Sequence, residues 1–124
     1  MYSVDIHAHF YTSGYIDILE KHGHTVDCAV ERGSDGLVIM TLPGGRKQGP
    51  IDPSYYEIEA RLAGLDRQET DLQALSLTTP MCHFSDDSIN RDLAQAYNDG
   101  TSQFCVAQPE RFVGLITMPM LNTN

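Results

Sequence analysis

The chain has 124 residues, of which 41% are apolar and 20% charged, the composition of a folded soluble domain and not of a disordered segment. That length supports one hydrophobic core and leaves no room for two independent domains. Eight Lys and Arg against 17 Asp and Glu leave a net charge of −9, which repels a phosphate backbone or an anionic bilayer and excludes nucleic acid and membrane surfaces as partners.

The opening stretch alternates Val4, Ile6, Ala8 and Phe10 against Asp5, His7 and His9, which predicts a strand with two chemically different faces. Tyr15, Ile18, Leu19 and His22 then fall on one helical stripe, and Gly23 suits a left-handed residue closing that helix. Val26–Val30 and Leu37–Leu42, separated by a turn rich in Gly and Asp, read as a β-hairpin, and the breaker-rich stretch 43–50 reads as a loop. Ile58, Leu62 and Leu65 recur at helical spacing, with Glu57, Glu59, Arg61 and Arg67 assigned to the wet side. Leu72–Thr79 is expected to be a buried strand running into an irregular loop after Pro80. Asp86 or Asp87 caps a further helix carrying Ile89, Leu93, Ala96 and Tyr97, which continues past Gly100 to Phe104 and is stopped by Pro109. The near-continuous apolar run Phe112–Met118 predicts a last strand covered on both faces.

Strand, excursion, helix, strand, helix, strand is an order that argues for parallel pairing with helices outside. No final helix follows the last strand, so the polar end Leu121–Asn124 reads as a cut, with an open sheet edge that invites self-association and allows a homo-oligomer. No apolar run approaches the roughly 20 residues that span a bilayer, and the amino terminus does not read as a secretion signal, so a cytoplasmic location is expected. Cys28, Cys82 and Cys105 are odd in number and lack CxxC spacing, which predicts free thiols and not a disulfide framework or zinc ribbon.

His7-Ala8-His9 carries the most chemical information. Residues i and i+2 of a strand share a face, so the spacing sets two imidazoles side by side for one cation, with Asp5 expected on the same face. Cys82 and His83 follow the second parallel strand as ordinary loop residues, with Asp5 and His83 the first further ligands to test. His22 and His24 flank a helix end and receive no ligand role. Gly44-Gly45 lacks the Lys-Ser/Thr ending of a phosphate loop, so nucleotide binding is not supported.

The stretch Asp5-Ile6-His7-Ala8-His9-Phe10 resembles the opening metal motif of the amidohydrolase superfamily. Arg61–Gln68, Gln73–Ser76 with Pro80, and Pro109–Leu115 with Pro119-Met120 look like the branch that contains aminocarboxymuconate-semialdehyde decarboxylase and related aromatic-acid decarboxylases and hydrolases. The resemblance implies an α/β fold. The 124 residues would be the amino-terminal portion of a (β/α)8 TIM-type barrel, a single incomplete domain with a β-hairpin inserted at about 24–50 between the first two barrel strands. It implies one divalent cation, zinc by preference, with His7 and His9 as two of its ligands; the other ligands and the catalytic acid would lie on strands beyond this chain. Arg46 falls where related decarboxylases grip a substrate carboxylate, which suits a small anionic organic substrate.

The expected activity is that of a metal-dependent decarboxylase of a carboxylated aromatic or muconate-type acid, in which the cation would orient the substrate and activate a water. A hydrolase of an ester, lactone or amide, using the same cation, is the alternative. A third reading is a noncatalytic half-barrel serving as an interaction module.

Overall fold

The computed structural model describes residues 1–120. Strand β1 (Val4–Phe10) leads into helix α1 (Ser13–His22), which Thr12 caps by accepting the Tyr15 amide at 3.2 Å. A 3-10 turn over Gly23–Val26 is followed by three strands, β2 (Ala29–Arg32), β3 (Val38–Thr41) and β4 (Lys47–Ile51). A second 3-10 turn, Pro53–Tyr55, precedes α2 (Ile58–Arg67), and β5 (Leu72–Leu77), α3 (Asp87–Ala107) and β6 (Phe112–Gly114) follow.

Strands β1, β5 and β6 form one parallel sheet in the order β1–β5–β6, as the strand and helix alternation predicts. Ala8 lies opposite Leu75, Phe10 opposite Leu77, and Gln73 opposite Phe112. All six are buried on the helix-covered face. There the Phe10 ring meets Phe104 edge-on at a centroid distance of 4.8 Å and Tyr97 at 6.0 Å. Full burial of a side chain such as Phe10 contributes about 1.5–3 kcal/mol. The opposite face is bare: Ile6 is 78% exposed, and His7, His9 and Val113 are exposed with it. Among the described residues no helix is long and apolar enough to cross a membrane.

The structure corrects several local expectations. The stretch assigned to a loop contains β4, so the segment between β1 and β5 carries a three-stranded antiparallel sheet in place of a hairpin. Its breakers are turn residues: Gly44 and Gly45 sit at φ +83° and +81° and reverse the chain from β3 into β4. Gly49-Pro50 is tolerated because β4 is an edge strand. Gly23 does not close α1 in the left-handed region; its φ is −57°, and glycine is required because a Cβ would come within 2.7 Å of the Cys28 carbonyl oxygen.

Helix α3 runs on to Ala107. Gly100 lies inside it because a Cβ there would meet Thr12 at 2.5 Å. Strand β6 ends at Gly114, well before Met118, since Asn98 exchanges two hydrogen bonds of 2.9 Å with the backbone of Thr117 and draws the chain away from the sheet. Nor is β6 covered on both faces, because Val113 is 47% exposed. The end assigned to a cut, Leu121–Asn124, lies outside the described residues.

Candidate metal centre

His7 and His9 stand on the bare face of β1 with their Nε2 atoms 3.1 Å apart and their ring planes at 69°. Two nitrogens each about 2.0–2.1 Å from one ion lie roughly 2.9–3.4 Å apart, for angles at the ion between 90° and tetrahedral. The pair therefore fits two neighbouring positions around a single divalent cation. Among the described residues no group of three or more His, Cys, Asp or Glu side chains converges in this way, so the two imidazoles stand as a pair without a third donor.

Asp5 does not join it. The pairing of β1 with β5 shifts between Asp5 and Ala8, so that Asp5 opposes Gln73 while Ala8 opposes Leu75. This bulge gives β1 an extra residue and carries Asp5 to the Gln73 side of the sheet, away from the face predicted for it. There one Asp5 oxygen accepts the His7 amide at 3.1 Å and the other accepts Gln73 Nε2 at 2.8 Å. The hydrogen bond from Gln73, with that from the His7 amide, holds the Asp5 carboxyl below the usual carboxylate range.

Gln73 in turn accepts from Arg61 Nε at 2.7 Å, and Arg61 Nη1 donates to the Ser54 carbonyl at 2.9 Å. Arg61, expected on the wet side of α2, is only 7% exposed, and its guanidinium lies 5.2 Å from the centroid of the Phe10 ring. Burial draws its pKa down to about 10, with the Asp5 charge opposing, so it remains a cation at neutral pH. The helical period held the missed signal, because Arg61 is three residues after Ile58 and four before Leu65, on the buried stripe itself. Gln73 could have been found as the polar member of the buried series Gln73, Leu75, Leu77. A cleft of about 350 Å³ joins these groups, lined by Asp5, His7, His9, Arg61, Gln68 and Gln73.

The remaining residues singled out in the sequence lie elsewhere. Arg46 is exposed in the β3–β4 turn and does not line the cleft. Two residues on, Gln48 approaches the Tyr11 hydroxyl at 3.4 Å, which ties this sheet to the chain just beyond His9. Cys82 is buried and its thiol is pushed up to about 11 by that burial, so it is protonated at neutral pH and unsuited to ligation or nucleophilic attack. His83 is exposed beside it, in a loop pinned by Asn90, which exchanges two 2.8 Å hydrogen bonds with the backbone of Phe84. All three cysteines are free thiols.

No protein-family model matches the chain. It is 27% identical over 118 residues to 2-amino-3-carboxymuconate-6-semialdehyde decarboxylase of Dictyostelium discoideum, an alignment covering 94% of this chain and 33% of that protein. The chain resembles decarboxylases of this name along nearly its whole length. It spans about a third of the length of this relative. Among solved structures, the chain superposes on an IDCase of Metarhizium anisopliae with a TM-score of 0.75 at 24% identity, covering 95% of this chain and 35% of that one. With 5-carboxyvanillate decarboxylase of Novosphingobium aromaticivorans, complexed with manganese and 4-hydroxy-3-methoxy-5-nitrobenzoic acid, the TM-score is 0.65 at 21% identity, covering 94% and 34%.

Proposed function

We propose that the complete protein is a metal-dependent decarboxylase acting on a small carboxylated aromatic or muconate-type acid, and that this chain is the amino-terminal portion of its (β/α)8 barrel. The observation that carries the reading is the His7 and His9 pair, whose ring nitrogens stand 3.1 Å apart on the exposed face of a parallel strand. The similarity to 2-amino-3-carboxymuconate-6-semialdehyde decarboxylase supports the reaction class. Two imidazoles suit zinc, the ion we assign, although the carboxyvanillate enzyme holds manganese. When bound, a divalent cation supplies Lewis acidity and a template for the substrate.

The chain's own residues then have distinct tasks. His7 and His9 would hold the ion through their ring nitrogens. Arg46 is exposed in the β3–β4 turn, and we assign its guanidinium to the substrate carboxylate, where a forked donor matches two carboxylate oxygens. A protein of net charge −9 needs such a local cation to receive an anion. Product analysis of the complete protein tests the reading: carbon dioxide should be released from a carboxylated aromatic or muconate-type acid, and a chelator should abolish the release. Hydrolysis of an ester, lactone or amide with no carbon dioxide formed from any such acid would replace the lyase by a hydrolase.

A further inference from the structure

Arg61, Gln73 and Asp5 take no part in the chemistry assigned above, yet they form one hydrogen-bonded line that ends on the backbone of a proposed ligand. The bulge leaves the His7 amide without its ordinary place in the strand ladder, and it donates instead to Asp5 at 3.1 Å. The other Asp5 oxygen takes the Gln73 amide group at 2.8 Å, and Gln73 accepts from Arg61 Nε at 2.7 Å. Arginine only donates and a carboxylate only accepts, so the orientation of the Gln73 amide is fixed from both ends. The bulge matters because a one-residue slip in a strand exchanges its faces, and it would turn His9 towards the helices.

We infer that Arg61, Gln73 and Asp5 are a positioning relay that fixes the bulge of β1 and thereby holds His7 and His9 in their paired pose. The inference rests on reading the pair as metal ligands. Groups that orient ligands without touching the ion typically change metal affinity by about 10- to 100-fold when removed.

The test compares Gln73→Met, Gln73→Glu and the double variant Arg61→Met/Gln73→Met in the complete protein. Zinc affinity, melting temperature and metal-free hydrogen exchange at the His7 amide are measured for each. Gln73→Met should weaken zinc binding about 10- to 100-fold and speed His7 exchange. Gln73→Glu keeps a partner for Arg61 while removing the donor to Asp5, and the double variant removes the buried charge altogether. Both should recover melting temperature relative to Gln73→Met without recovering zinc affinity or slow His7 exchange. Recovery of all three together would make the trio a fold-stabilising group only and overturn the inference, as would unchanged affinity and exchange in Gln73→Met. His7→Ala/His9→Ala serves as the control. If zinc binding is the same in that variant, the metal reading fails, while His7 exchange in the metal-free protein still decides whether the relay holds the bulge.

Discussion

A guanidinium that is 7% exposed and touches no carboxylate among the described residues needs fixed acceptors, and Arg61 finds them in Gln73 and Ser54. Arg46 is the opposite case, a cation left in solvent. This contrast separates a structural arginine from one proposed to meet substrate. Arg46→Ala is expected to lower kcat/KM by an amount equivalent to about 2–5 kcal/mol where the bound substrate buries the charge pair, while leaving the melting temperature nearly unchanged. Steady-state kinetics and a thermal melt on the same preparation check it; unchanged turnover with a lowered melting temperature would reverse the assignment. His7 and His9 were legible from spacing alone, because period two is a local property of any strand. The departure of Asp5 from their face was not, since a bulge arises from pairing with β5, some 68 positions away in sequence.

At the level of elements, the parallel strands and their helices were legible because each shows its own period, while β4 was hidden. Lys47–Ile51 includes Gly49 and Pro50 and is a strand because β3 offers it an edge. Strand β6 was overread for a related reason: an apolar run predicts a strand only as far as a partner continues, and Asn98 captures Thr117 instead. The packing of α1 against α3 turns on Gly100. A Cβ there would lie 2.5 Å from Thr12, the residue that caps α1. Gly100→Ala, although favourable for helix propensity, is therefore expected to destabilise the fold by about 1–3 kcal/mol through overpacking. A stabilised variant in chemical denaturation would show that α1 yields at this contact.

For the whole molecule, the covered face of the parallel sheet is packed with aromatic rings, while the other face shows Ile6 at 78% exposure and Val113 at 47% beside the two histidines. On the function proposed above, the bare side would face the remainder of a barrel, in keeping with relatives about three times as long. The proposed ion would need further ligands from the rest of such a barrel, since two imidazoles provide fewer ligands than the three protein ligands usual in a catalytic zinc site. The direct measurement is metal content by elemental analysis of the complete protein and of its His7→Ala/His9→Ala variant, both purified without chelator. The account predicts stoichiometric divalent metal in the parent protein and none in the variant; a variant that kept its metal would contradict it.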